Sequence, residues 1–396
     1  METYLLDWAN LLVRWLHVIA GVAWIGASFY FVMLDNSLRN PVKSTDSERG
    51  VSGELWAVHG GGVYHSQKYL LGPLDEPLST HLHWSKWEAY TTWLSGMGLL
   101  IIVYWAGAKT YLIDQQVLGL TPSQAIAISI VFLLAGWIIY NTLCHLLRGK
   151  ETLLAAIIFC LLVLATWALF HLFSARAAYL HVGAVMGTIM AANVFFQIIP
   201  GQKKMVAEIR AGVKPDPTPG IIGKQRSVHN TYFTLPVLFT MISHHYPMTY
   251  SHEHGWLILI FIMLAGVLIR QFFVLRHRGQ VAWALPVIGI VLLLVMVWYL
   301  RPLSTTGDLS AVADHQIQQI VNQRCATCHA SAPSQPGFAS PPLGLILESM
   351  DQIQRNADSI AQTVQTGYMP IGNLTGMTDQ ERDIVARWYA ASKQPE

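Results

Sequence analysis

The stretch TLLAAIIFCLLVLATWALFHLF, residues 152–173, contains no Asp, Glu, Lys or Arg. It is too long for a strand, and it is apolar all round, whereas a surface helix of a soluble protein shows one apolar stripe. About 20 apolar residues in helical form cross a bilayer. Working outward, seven further stretches have this character: 5–34, 90–107, 124–147, 177–200, 232–247, 256–275 and 281–300. The sixth of the eight is the weakest, because it is short and carries Pro236, His244 and His245. The expected fold is therefore all-α: a polytopic membrane bundle of about eight transmembrane helices. Composition agrees. Charged residues make up 12% of the 396-residue chain and hydrophobic residues 53%, against about 25% charged in an ordinary soluble domain. This excludes a disordered chain, and the net charge of +2 excludes a nucleic-acid binder working through a basic field. The 14 Trp and 15 Tyr suit membrane interfaces. The lipid bilayer is the expected partner, and no nucleic acid is.

Basic residues set the expected orientation. Fifteen Lys and Arg lie in the loops after stretches one, three, five and seven, and three (Lys109, Arg176, Arg301) lie on the other side. The basic side is expected to be cytoplasmic, with both termini outside. The first stretch lacks a basic leader and opens with Glu2 and Asp7, so it reads as a retained anchor rather than a cleaved signal. Leu134-Ala135-Gly136 recurs as Leu264-Ala265-Gly266, and Leu16-His17-Val18 as Leu180-His181-Val182. These pairs suggest a two-fold repeat of four helices.

Near Arg301 the composition becomes that of a soluble domain. The expected division is a membrane domain at 1–302, a linker at 303–315 and a small domain at 316–396. That last domain contains Cys325-Ala326-Thr327-Cys328-His329, the C-x-x-C-H signal for covalent haem c. Two thiols one turn apart add to the haem vinyl groups, and the adjacent His ligates the iron. A redox dithiol would need a βαβ setting and a zinc site a second ligand pair; the sequence has neither. A downstream Met is expected as sixth ligand, with Met350, Met369 and Met377 available. Thr378 and Glu381 form an expected capping box for a last helix. Cys144 and Cys160 lie in apolar stretches and read as packing residues.

Ionisable groups inside apolar stretches are functional candidates by default: His17, His145, His181, His244, His245 and Arg270, with Asn141, Asn193 and Gln271 beside them. His17 and His181 occupy matching positions, suited to a b-type haem or a quinone. The long first loop holds His59-Gly60-Gly61-Gly62-Val63-Tyr64-His65-Ser66-Gln67-Lys68, then His81-Leu82-His83-Trp84-Ser85-Lys86-Trp87-Glu88. A glycine run lets backbone N–H groups approach a planar anion. Lys68 and Lys86 are placed to neutralise it, and imidazoles move protons near neutral pH. The candidate catalytic residues are His59, His65, Lys68, His83, Lys86 and Glu88. His81-x-His83 is also a minimal metal pair, and Trp84 and Trp87 suit an interfacial belt.

Taken together, Trp15-Leu16-His17, Trp24-Ile25-Gly26, the His59-Gly60-Gly61-Gly62 loop and His83-Trp84-Ser85-Lys86-Trp87-Glu88 resemble the bacterial membrane-bound urate oxidase (urate hydroxylase) family. That family fuses an eight-helix urate-oxidising domain to a C-terminal cytochrome c domain. Residues 316–392 resemble small class I cytochromes c, which implies a small α-helical domain with Met369, in its Met-Pro loop, as sixth iron ligand beside His329. The resemblance implies an oxidoreductase of purine degradation in the bacterial inner membrane, with the N-terminus and the cytochrome domain periplasmic. Urate would be oxidised to 5-hydroxyisourate, and electrons would leave through haem c to a soluble cytochrome c or terminal oxidase rather than directly to oxygen. The family supplies no catalytic residues for the membrane half, so the six named above rest on their chemistry alone. Two other readings stand beside this one. The first is a quinol-linked electron-transfer subunit with a b-type haem and no substrate chemistry. The second is a permease or sensor with a cytochrome tail.

Overall fold

A computed structural model describes residues 2–301, 312–335, 338 and 340–393. The greater part of the expected linker, residues 303–311, lies outside the described residues. The first helix, α1 (Glu2–Ser37), and the short α2 (Ser44–Glu48) lead into strands β1 (Val51–His59) and β2 (Gly62–Tyr69). Next, α3 (Trp87–Leu99) continues through π turns at Leu100–Trp105 and Ala108–Leu112. The helix α4 (Pro122–Leu146) opens on a capping box in which the Thr121 hydroxyl accepts from the Gln124 N–H and the Gln124 side chain from the Thr121 N–H. Pro122 sits in the first turn, where a missing N–H costs nothing. The opening stretch of the sequence is α5 (Glu151–Phe170). From α6 (Ala175–Ala192) a π turn, Asn193–Ile198, leads to α7 (Ile199–Arg210). The bundle closes with α8 (Thr218–Ile242), α9 (Pro247–Tyr250), α10 (Gly255–His277) and α11 (Ala284–Tyr299).

All eight expected stretches fall in helical segments, but among the described residues five helices are long and apolar enough to cross a membrane: Tyr4–Ser37, Pro122–Leu146, Glu151–Phe170, Ala175–Arg210 and Gly255–His277. The other three depart for separate reasons. The third helix is interrupted by π turns. The eighth begins well before residue 232 and takes in Lys224, Arg226, His229 and Asn230. The eleventh has 16 residues. Large apolar side chains on α1 (Leu11, Leu12, Trp15, Val18, Val22) and on α11 (Val287, Val291, Leu294, Trp298) are exposed, which suits a bilayer rather than water as surroundings.

The all-α expectation needs one correction. Part of the long first loop is an antiparallel hairpin, with Val58 opposite Val63 and His59 opposite Gly62. Gly60 and Gly61 have φ of 59° and 79°. A two-residue hairpin turn with both residues at positive φ matches the twist of the strands and demands glycine-like residues. The glycine run thus makes a turn.

The centre of the bundle is α6, where Ala177, Ala178, Tyr179, Val182, Met186 and Ile189 are buried. Small residues let its neighbours close in. A Cβ on Gly183 would overlap the Thr240 hydroxyl of α8, and one on Gly136 of α4 would lie 2.6 Å from Val185 Cγ1. The expected repeat does not extend to these contacts. Gly136 faces α6 across the two proposed halves, whereas its counterpart Gly266 faces Leu235 and Pro236 of α8 within one half.

The tail contains α12 (Asp314–Arg324), α13 (Met350–Arg355), α14 (Ala357–Gln365) and α15 (Asp379–Ser392). Its core gathers Ile317, Val321, Leu347, Ile353, Val364, Met377, Val385 and Trp388. The expected capping box at Thr378 and Glu381 is formed. The Trp388 indole donates to Asp314 Oδ1 at 2.9 Å, tying the last helix to the first. The loop after α14 presses on the bundle. A Cβ on Gly372 would be 2.7 Å from Thr110 O, and one on Gly367 would be 2.8 Å from Ser251 Cβ. The bundle therefore has a tail end and, opposite it, a hairpin end.

Candidate functional site

The six candidates from the first loop do not converge. His59 is exposed at the hairpin turn. His65 lies flat on Trp56, ring centroids 4.0 Å apart, and its Nε2 is 2.8 Å from Glu54 Oε2. Glu54 also accepts from the Val42 N–H at 3.0 Å. That hydrogen bond first, and His65 with it, holds the Glu54 carboxyl below the usual range. Lys68 is paired with Asp35, which also pairs with Lys224 at 3.2 Å. His83 is exposed beside a groove of about 380 Å³ whose lining is mainly apolar (Leu70, Trp84, Met205, Ile209). Lys86 stands at the N-cap position of α3 without a side-chain capping bond, its ammonium 5.6 Å from the Trp87 ring, and Glu88 lies in that helix's first turn. Acid there complements the helix N-terminus. Among the described residues, no side-chain hydrogen bond or ion pair joins His59, His83, Lys86 and Glu88 to one another. Nor does any group of three or more His, Cys, Asp or Glu gather to hold a metal ion, so His81 and His83 stay a bare pair.

The paired imidazoles of the repeat also differ. His181 is fully buried, with Nδ1 2.8 Å from Ala177 O and Nε2 2.7 Å from Ser129 Oγ. Both ring nitrogens are engaged, leaving neither free for an iron. His17 uses Nδ1 alone, on Thr92 O at 3.0 Å and Ser95 Oγ at 3.1 Å.

In the tail, Cys325 is the residue that ends α12, and both Cys325 and Cys328 are free thiols. Burial pushes the Cys325 thiol up to about 11. A catalytic dithiol has a lowered pKa, often at a helix N-terminus; this thiol has neither. His329 is largely buried and its Nδ1 is 3.1 Å from Leu345 O, which leaves Nε2 as the free nitrogen. Of the three methionines, Met377 is enclosed in the core and Met350 packs against it. Met369 stands in the partly exposed loop, where its N–H donates to Thr363 O at 3.0 Å and its carbonyl accepts from Arg382 at 2.7 Å.

The densest polar cluster was not singled out from sequence. It lies between α4, α6, α8 and the Asn193–Ile198 turn. Arg226 is 1% exposed. Its Nη2 donates to Asn141 Oδ1 at 2.9 Å, and its guanidinium carbon sits 5.0 Å from the centre of the Tyr140 ring. The Tyr140 hydroxyl meets His229 Nδ1 at 2.8 Å and accepts from Asn193 Nδ2 at 3.1 Å. Asn193 donates also to Asn230 Oδ1 at 2.9 Å, and Gln197 to Asn141 at 3.3 Å. On the far side, His229 Nε2 is 3.8 Å from Glu151, which is 57% exposed at the hairpin end. Trp137 stacks on Phe196 with centroids 5.8 Å apart, and Phe233 meets Tyr140 edge-on, walling the cluster. Asn141 and Asn193 were on the sequence list. Arg226 was counted among loop charges because the helix was expected to start at 232. Arg226, His229 and Asn230, spaced i, i+3 and i+4, were the available signal once the helix is extended.

No curated protein and no solved structure matches the chain. A family model described as Urate oxidase N-terminal matches residues 3–301. That match spans the whole bundle, including the hairpin and the Arg226 cluster, and the chain belongs to the Urate oxidase N-terminal family, an oxidoreductase-type family with a urate-related function.

Proposed function

We propose that this chain oxidises urate within a membrane and passes the electrons through a haem c carried by its own tail. The observation that carries the reading is the family match over 3–301 in a chain whose remainder holds Cys325-Ala326-Thr327-Cys328-His329. Urate plus water gives 5-hydroxyisourate, two protons and two electrons. The haem, when bound, supplies a one-electron carrier used twice per turnover, so no peroxide need form.

The residues present fit the group. Cys325 and Cys328 are unpaired, and His329 presents Nε2 while Nδ1–H is held by a backbone carbonyl, the arrangement that orients metal-bound imidazoles. Met369 is the sixth ligand in this reading. Its loop lies against Thr110 and Ser251 at the tail end, which favours electron delivery from bundle to tail. The eight helical segments are read as eight crossings, and the basic bias of the loops supports a cytoplasmic hairpin end and an outside tail. A soluble cytochrome c or terminal oxidase would then accept the electrons. The alternative of a His17–His181 b-type haem is disfavoured by the full use of both His181 nitrogens.

The test is a visible spectrum of membranes holding the full chain, with and without urate under anaerobic conditions. Reduced c-type bands should appear on urate addition. Bands that appear only with quinol or dithionite would end the reading.

A further inference from the structure

We infer that Arg226 and the polar side chains around it bind the substrate, a planar heterocyclic anion. This rests on the function proposed above and assigns its site. The argument begins with charge. A guanidinium buried without a counter-ion is among the costliest arrangements a protein can hold. Among the described residues no carboxylate lies within ion-pairing distance of Arg226, and its Nε and Nη1 have no hydrogen-bond partner. A buried ligand of negative charge completes the arrangement.

The neighbours narrow the ligand class. Asn193 is fully buried, and its Nδ2 is fully used while its Oδ1 has no partner. The site therefore offers unmet donors from Arg226 and an unmet acceptor from Asn193. Chloride satisfies the first and has no donor for the second, and hydrogen phosphate has a single O–H on a tetrahedral body rather than several N–H groups in a plane. A purine anion carries acceptor oxygens and N–H donors in one plane, and so answers both the open Arg226 nitrogens and the open Asn193 oxygen. The Tyr140 hydroxyl is hydrogen-bonded to His229, whose Nε2 faces the exposed Glu151 at 3.8 Å. Arg270 is a second buried guanidinium with open nitrogens, Nε and Nη2. It lies on the Phe29 ring at 4.0 Å, and among the described residues the one buried amide oxygen without a partner is that of Asn193, so Arg270 lacks the acceptor half.

The experiment measures equilibrium binding of radiolabelled urate to the purified, haem-loaded full chain kept reduced with dithionite, so that binding is read without turnover. Arg226→Gln should weaken binding by about thirtyfold or more, the scale for losing one partner of a buried charged contact. Arg226→Lys should recover part of it, and Asn193→Ala should weaken urate binding as well. The melting midpoint of ligand-free Arg226→Gln should be no lower than wild type, since an uncompensated charge is removed; a merely structural Arg226 would lower it. Wild-type affinity in Arg226→Gln, a lowered midpoint, or Arg226-dependent binding of phosphate or chloride in place of urate each overturns the assignment. A wild-type chain that binds urate through Arg226 but whose oxidised haem urate does not reduce defeats the proposed oxidation and not the site.

Discussion

The glycine-rich hairpin and the Arg226 cluster lie at the same end of the bundle, two residues apart at one point. Lys224 pairs with Asp35, which pairs with Lys68 of β2, and Arg226 turns inward from the same helix. Both regions are rich in imidazole and cationic groups, yet their charges are handled in opposite ways. In the hairpin, buried Glu54 has His65, and Lys68 has Asp35; the Lys68 pair remains partly in water, where such pairs contribute little. In the cluster, Arg226 is out of water and short of a partner. A cation whose needs are met inside the fold holds structure together; one whose needs are unmet in a dry place is ready for a ligand.

This contrast can be broken in several ways. The largest effect is expected from Cys325→Ala, which should abolish covalent haem, seen as loss of the haem-staining band in a denaturing gel. Urate binding should survive, because the Arg226 cluster lies in the bundle; its loss would mean that the two halves do not function separately. Gly183→Ala should come next. It drives a methyl into the Thr240 hydroxyl, at the α6–α8 contact that positions Asn193 and Arg226. Overpacking of this kind costs about 1–3 kcal/mol, and a lowered thermal midpoint with weakened urate binding is expected. Gly61→Ala should cost about 1 kcal/mol through its left-handed turn, raising amide exchange across 51–69 while leaving urate affinity alone. Lys68→Ala should change stability by less than about 1 kcal/mol and also leave affinity alone. A large loss of urate affinity in either hairpin variant would move the site back to the loop.

The smallest effect concerns pH. Glu54 is held below its ordinary value of 4.5, first by the Val42 N–H and then by His65. Its contribution is therefore fully present above that value and is lost as pH falls through the lowered one. Amide protection at Val42 and in β1 should hold from neutral pH down to the ordinary carboxylate range and fall below it. Glu54→Gln should remove that pH dependence.

Much of this was legible in the chain itself. Each of the eight apolar stretches fell in a helical segment of the bundle, because a bilayer-length run of uncharged residues has few other uses. The capping boxes at Thr121 and Thr378 and the C-x-x-C-H signal are local patterns, readable over a few residues. The helix boundaries were less legible. The polar first half of α8 hid behind the rule that loops are charged, so Arg226 was assigned to water when it is buried. The glycine run was readable as a special backbone, but whether it cradled an anion or turned a hairpin depended on Val58 and Val63 finding each other.

Sequence alone determined that the molecule is built mainly of long apolar helices, since hydropathy and helix formation act through neighbours in the chain. Only the tertiary structure decided which charges are satisfied. Whether Lys68 meets Asp35, or Arg226 meets no carboxylate, depends on helices far apart in sequence, and burial turns that difference from a small surface effect into the strongest local demand for a ligand.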